Sequence, residues 1–399
     1  MEFSYDGYVA RILVLSPFEP PADGIAKHTA HLVDAWNTAG HNVFVIAPGK
    51  RRGPEGRESI GPRSTVARIV RQIPQNRTWK EAAEFAPDIV FVQFAISTLN
   101  VNLWAVRSLC KQFAATPTPV VVGYHEPTRE YDLLKFVSRQ IYRAMAQVTD
   151  VPIVFSSAGR QTLTESGLFD EVVELPHGTV GVANITDNDV ARVRALYDIR
   201  KPLVLTLGFT SADKGTDILL DAVGTVAANR GNEVQFLIAG SPRRRRGVFR
   251  LMERRDVKYQ RQLKERAKRI AGVDIAFSSY IDEQDVAALL FVADVVALPY
   301  RRITQSGIAN LALSSRSVVV CSDLPGLRSN LGDAAIYAEV DNSSSVAERI
   351  SSLLGDNNAS LRRHMRELSA ERAVANTYTR VAEEILSAGL AYGDANSST

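Results

Sequence analysis

The chain has 399 residues, 45% of them hydrophobic and 23% charged, with a formal net charge of only +3. A chain this long and apolar can bury a large core and is expected to form about two domains, while its near-balanced charge gives no global field for nucleic acid. The positive charge is nonetheless concentrated. Between Arg243 and Arg269 thirteen Lys or Arg stand against three acidic residues, so the rest of the chain is net acidic.

Taken in chain order, Arg11 to Ser16 is a short apolar strand, and Ile25, His28, Leu32, Ala35 and Trp36 give helical periodicity from Ile25 to Ala39. Gly40 closes that helix and Asn42 to Ala47 is the next strand, completing a βαβ unit. Further strands are expected at Asp88 to Gln93, Pro119 to Tyr124, Pro152 to Ser156 and Val172 to Leu175, with helical segments between them. This order predicts a parallel sheet covered on both faces. Between Pro48 and Pro74 the pattern fails, and Lys50, Arg51, Arg52, Arg57, Arg63, Arg68 and Arg71 among Gly and Pro read as a mobile basic loop.

After Pro176-His177-Gly178 the sequence turns polar, and the stretch Thr179 to Lys201 is the expected interdomain hinge. A second strand-helix series follows, with strands at Leu203 to Leu207, Val234 to Ala239, Val273 to Phe277, Asp294 to Leu298 and Val318 to Ser322. The last helical stretch is Tyr378 to Leu390, and Gly393 to Thr399 reads as a disordered tail. The domain boundaries expected are 1–178, 179–376 and a closing helix with its tail at 377–399.

Cys110 and Cys321 sit in apolar surroundings without metal-ligand spacing and read as buried thiols of a reduced compartment. The N-terminal residues lack the basic start and apolar run of a signal peptide, and no stretch is long enough to span a membrane. A cytoplasmic protein is expected, with peripheral contact at the inner membrane face left open.

Two strand ends carry the functional signal. Leu203 to Leu207 runs through Gly208-Phe209-Thr210-Ser211-Ala212-Asp213-Lys214-Gly215 into an apolar helix, and Leu298-Pro299-Tyr300 leads to Gln305-Ser306-Gly307 at the start of another. Such turns present unpaired backbone N–H groups and the positive end of a helix dipole to an anion. Lys214 can add its ammonium there, or be an ordinary surface lysine. Ser306 can cap its helix and Gly307 admits a phosphate close to the backbone, although Ser-Gly alone also marks a plain N-cap.

With these motifs the chain resembles the family-4 glycosyltransferases of the GT-B fold, an α/β architecture of two Rossmann-like parallel-sheet lobes facing a central cleft. The resemblance implies that the second lobe binds a nucleotide-sugar donor through Gly208, Lys214, Gln305, Ser306 and Gly307. It covers about residues 11 to 378 and is that of a divergent member. The family's diphosphate-binding arginine is replaced by Phe209, its two glutamates by Ile303 and Leu311, and a common Gly and Pro by Arg316 and Val318. Arg243, first of four consecutive arginines after a strand end, is a candidate replacement cation, although a solvated loop is the default for most of that run.

In the first lobe the resemblance places Asp23-Gly24 where a Gly-Gly loop approaches sugar and acceptor, Asp23 standing for the first glycine; a simple Asp cap is equally compatible. His125 and Glu126 follow the strand Val120 to Tyr124 at the ligand edge of the sheet. The family has a histidine there, which implies contact of His125 with the transferred sugar and a role for Glu126 in orienting its imidazole or an acceptor hydroxyl. His28 and His31 share a helix face at metal-compatible spacing, but no third ligand of matching register appears, and helix packing with His28 near substrate is the preferred reading. No metal and no cofactor are expected, the nucleotide-sugar being a substrate.

The function implied is transfer of a sugar from a nucleotide diphosphate to a hydroxyl or amine of a small-molecule, glycan or lipid-linked acceptor, with retention and without metal. A sugar-nucleotide epimerase of the same fold and a noncatalytic pseudo-glycosyltransferase are the alternatives, the latter favoured by Phe209, Ile303 and Leu311. No nucleic-acid partner is expected, because the basic run lacks interleaved aromatics and a reader motif.

Overall fold

A computed structural model describes residues 8–18, 24–47, 56–60, 65–71, 76–99, 103–132, 136–229, 233–242, 250–270, 272–279, 281–303 and 306–397. The chain divides into two compact units, residues 1–178 with 377–399 and residues 179–376.

The first unit is built on an eight-stranded sheet. Its strands are β1 (Arg11–Leu15), β2 (Asn42–Ala47), β3 (Gly56–Ile60), β4 (Thr65–Arg71), β5 (Ile89–Phe94), β6 (Val120–Tyr124), β7 (Val151–Val154) and β8 (Val173–Glu174). They lie in the order β3-β4-β2-β1-β5-β6-β7-β8. All neighbours are parallel except the β3–β4 pair. The central strands are buried along their length, as continuous Val, Ile, Leu and Phe runs require in a sheet covered on both faces. One covering cluster joins Trp36, Ile89, Phe91 and Val121 to Val381, Ile385 and Leu386 of the final helix, Tyr378–Ser397. The Trp36 indole N–H donates to the Ala382 carbonyl at 2.8 Å, tying that helix to the first helix, Gly24–Thr38.

The second unit carries a six-stranded, wholly parallel sheet. Its strands are β9 (Leu203–Leu207), β10 (Gln235–Ala239), β11 (Asp274–Ser278), β12 (Val295–Leu298), β13 (Val319–Ser322) and β14 (Ala335–Ala338), in the order β11-β10-β9-β12-β13-β14. Apolar clusters lie on both faces, one around Leu205, Leu298 and Leu313 and one around Val204, Val223 and Val320.

Three expectations are corrected. The stretch read as a mobile basic loop contains the antiparallel pair β3 and β4, which extends the sheet beyond β2; residues 48–55, 61–64 and 72–75 lie outside the described set. The polar stretch read as a hinge belongs to the second unit and folds as the helix Asp187–Leu196. There Thr186 and Asp189 form a reciprocal capping box, so polarity that suggested a linker is the signature of a helix start. The tail read as disordered continues the last helix through Ser397, with Gly393 packed beside Pro119 and the Asn396 amide donating to the Tyr392 carbonyl at 3.0 Å.

Candidate functional site

In the second unit the strand order reverses between β9 and β12, so the crevice at their carboxyl ends is the topological switch point where open α/β sheets hold ligands. Gly208 leaves β9 with φ +131°, and its N–H donates to the Ala239 carbonyl at 3.0 Å. The chain then makes a 3₁₀ turn, Ala212–Lys214, before the helix Thr216–Asn229. Gly215 links them with φ +60°, and a Cβ there would stand 1.8 Å from the Pro299 carbonyl oxygen. Only glycine allows the β9 and β12 loops to touch at this point.

That contact aligns the cationic end of the site. The Lys214 Nζ lies 3.8 Å from the centroid of the Tyr300 ring, a cation–π contact worth about 0.5–1 kcal/mol where water reaches it. The Tyr300 hydroxyl is 3.4 Å from Ser306 Oγ, which in turn accepts from the Ala309 N–H at 3.2 Å and caps the helix Gly307–Ser314. Lys214, Tyr300 and Ser306 thus form one connected edge, beside the N–H groups of the capped helix.

Arg301 locks the two loops together. Its Nη1 and Nη2 each donate to Asp217 at 2.8 Å, Nη1 also to the Ala212 carbonyl at 3.0 Å, and Nε to Asp341 at 2.8 Å. The Tyr259 hydroxyl donates to Asp217 at 2.5 Å. Burial alone would raise the Asp217 carboxyl, but bonds from Arg301 and Tyr259 outweigh it and hold it below the usual carboxylate range. A bidentate fork of this kind fixes position as well as charge.

Around this edge the side chains are apolar where a ribose or diphosphate contact was sought. Phe209 is 57% and Leu311 37% exposed, and Ile303 is half-buried. Gln305 and Arg243, the other two donor candidates, lie outside the described residues.

In the first unit the strand order reverses between β1 and β5, and three candidates gather at that edge. Gly24 opens the helix Gly24–Thr38; Asp23, before it, lies outside the described residues. His125 follows β6, with its backbone N–H donating to the Phe94 carbonyl at 3.0 Å. Glu126 is the N-cap of the short helix Pro127–Glu130.

Two histidines of this edge are buried, while His177 is half-buried and His31 exposed. His28 is 1% and His125 2% exposed. Their ring centroids are 5.2 Å apart, edge to face, and the Phe155 ring stacks on His125 at 4.8 Å and meets His28 at 5.0 Å. His177 stands 4.5 Å from His28, while His31 stacks on Tyr378 at 4.6 Å. Burial, then repulsion from His177, His125 and His31, pushes His28 well below the ordinary histidine value; burial brings His177 down to about 4. Packing thus accounts for His28 and His31, and among the described residues no group of three His, Cys, Asp or Glu could hold a metal ion.

Sequence reasoning missed two residues here. Gln93, at the end of β5, bridges His28 Nδ1 at 2.9 Å and the His125 Nε2 through a shorter contact. Its signal was one amide in the otherwise apolar Ile89-Val90-Phe91-Val92-Gln93-Phe94. Arg301 was hidden among basic residues, and its partner Asp217 is 84 positions away.

Comparison with known proteins bears on these sites. Residues 201–356 match the model described as glycosyl transferases group 1, and residues 22–179 the model of glycosyltransferase family 4. The phosphatidyl-myo-inositol mannosyltransferase of Mycolicibacterium smegmatis is 28% identical over 352 residues, covering 85% of this chain and 83% of that protein. The protein of the same description from Mycobacterium tuberculosis is 27% identical over 341 residues, covering 82% and 81%. Among solved structures, Anabaena HepE in complex with UDP and glucose superposes with a TM-score of 0.70 at 13% identity, covering 96% of this chain and 99% of that one. Sucrose-phosphate synthase from Thermosynechococcus elongatus gives 0.68 at 16% identity, covering 98% and 100%.

Proposed function

Because the chain belongs to the family-4-like glycosyltransferases of the GT-B fold, we propose that it moves a hexose from a nucleoside-diphosphate donor to an acceptor hydroxyl, with retention of anomeric configuration and without a metal. The observation that carries the donor half is the connected edge of Lys214, Tyr300 and capped Ser306 at the switch point of the second unit. An ammonium beside a helix N-terminus suits a diphosphate and stabilises the charge it gains as the glycosidic bond breaks. This positive charge supplies what a divalent cation would otherwise provide.

Gly307 would let the donor phosphate approach the helix backbone, and Gly208 would border it, while Phe209, Ile303 and Leu311 offer no carboxylate to the ribose. One missing charged hydrogen bond weakens binding by about 1.5–3 kcal/mol. The donor is therefore expected to bind about tenfold to a hundredfold more weakly than where a glutamate holds the ribose. In the first unit His125 is read as the group nearest the transferred sugar, with Glu126 orienting its imidazole or an acceptor hydroxyl, Gly24 on the donor side, and Asp23 and His28 on the acceptor side.

The acceptor reading rests on the relatives, whose names specify phosphatidyl-myo-inositol. A polyol hydroxyl on a lipid headgroup is the acceptor class we favour, reached at the inner face of a membrane. Among the described residues no helix is long and apolar enough to cross a membrane, while the helix Arg250–Ala267 carries exposed Arg254, Arg255, Lys258 and Arg261 that suit an anionic surface.

The test is thermal unfolding with UDP, GDP, ADP and TDP, each with and without EDTA. One nucleotide is expected to raise the Tm, by mass action on the folded state, and the chelator to leave that rise intact. No rise at millimolar nucleotide would defeat the donor reading.

A further inference from the structure

Gln93 is fully buried, in a strand whose other members are apolar. An amide in that position is destabilising unless its hydrogen bonds are made, and a leucine would pack there without that cost. Two observations show that the surroundings are shaped for the amide. Its nitrogen faces His28 Nδ1 at 2.9 Å and its oxygen faces His125 Nε2. On the neighbouring strand Gln93 is in register with Gly123, where a Cβ would lie 3.2 Å from Gln93 Oε1 and 3.2 Å from Phe155 Cε2. Gly123 has no positive φ to explain it; the missing side chain makes room for the amide and for the ring that stacks on His125.

A carboxamide bridging two imidazoles can satisfy both only if one ring nitrogen accepts from its NH2 and the other donates to its oxygen. Here His28 Nδ1 is the acceptor, so His28 is uncharged and carries its proton on Nε2, an atom with no hydrogen-bond partner among the described residues. His125 is then the donor through Nε2–H.

We propose that Gln93 is a positioning residue for sugar transfer: its amide fixes the His125 ring with Nε2–H turned toward the strand, and so sets the orientation in which His125 acts. The inference rests on the reading of His125 given above. The remaining groups packed around the pair are His177, His31 and Tyr378 on the His28 side and Glu126 beside His125.

Three variants of the full chain test it, read by release of nucleoside diphosphate from UDP-glucose and GDP-mannose, using whichever donor the parent hydrolyses. Gln93→Leu keeps an apolar strand and is expected to lower kcat roughly tenfold to a hundredfold, the range for a hydrogen bond to a group that gains charge. Its KM and its nucleotide-induced rise in Tm should stay as in the parent. Gln93→Glu still accepts from His125 but cannot donate to His28; it should recover part of kcat and shift the acidic limb of the pH profile upward, since a carboxylate favours protonated rings. His125→Ala is the control: full turnover there removes the reading of His125 itself. Loss of turnover in His125→Ala with parental kcat and pH profile in Gln93→Leu removes only the role of Gln93.

A measurement on the parent needs neither activity nor a variant. Histidine 15N spectra at neutral pH should give both His28 and His125 as Nε2–H tautomers. An Nδ1–H tautomer for His125 would overturn the proposal.

Discussion

At the switch point of the second unit the site is made of charges in loops: Lys214 over Tyr300, and Arg301 forked onto Asp217. At the same edge of the first unit it is made of neutral rings inside the core, His28 and His125 joined through one amide. The difference fits the role proposed for each. A departing diphosphate needs positive charge that water can reach before binding; a sugar has only hydroxyls, for which an oriented, uncharged imidazole is the better partner. Exposed charge is screened by salt but needs no burial, whereas a neutral histidine depends on burial to stay neutral.

The largest expected effect breaks the neutral side. An unfolded histidine titrates near 6.5, while His177 in the fold titrates near 4 and His28 well below its ordinary value. Above pH 6.5 neither state is charged and the contribution is complete. As pH falls from 6.5 toward 4 the unfolded chain takes up protons that the folded chain refuses, so stability drops; below about 4, His177 adds no further loss. For His177 alone the loss is about 3 kcal/mol. Urea midpoints at pH 7.5, 5.5 and 4 measure it, and a flat profile would contradict buried neutral histidines.

Lys214→Ala breaks the charged side. Nucleoside-diphosphate binding is expected to weaken by about 1.5–3 kcal/mol, with the acid-stability profile of the first unit unchanged. Calorimetric titration reads the affinity, and parental affinity would remove Lys214 from the donor site.

A smaller effect sharpens the same contrast. Arg301→Lys keeps the charge but cannot fork onto Asp217 and reach the Ala212 carbonyl together. It should loosen the Lys214 turn and weaken nucleotide binding by about 1 kcal/mol, less than Lys214→Ala. An equal or larger loss would mean that Arg301 itself meets the ligand.

The parallel core was legible because its strands are short, unbroken apolar runs such as Val120-Val121-Val122 and Leu203-Val204-Leu205, the pattern of strands in a doubly covered sheet. The β3–β4 pair escaped because arginines interrupt its short strands. β14, only Ala335–Ala338, is too short to show a period. The capped helix Asp187–Leu196 read as a linker because a surface helix start and a loop draw on the same polar residues. Lys214, Ser306 and His125 stood out because strand ends in α/β sheets are where ligands bind. Gln93 and Arg301 did not, since their meaning lies in partners on other elements that only the fold assembles.

The helix Tyr378–Ser397 completes the first unit's core, yet it follows the whole second unit in the chain. During synthesis Trp36, Ile89 and Val121 therefore wait with an uncovered apolar face while about two hundred further residues emerge, and the second unit, contiguous in sequence, can fold before them. The order of birth is thus reversed in the order of completion: the half made first is finished last, and a ribosome stalled before residue 378 should leave it the half that chaperones hold.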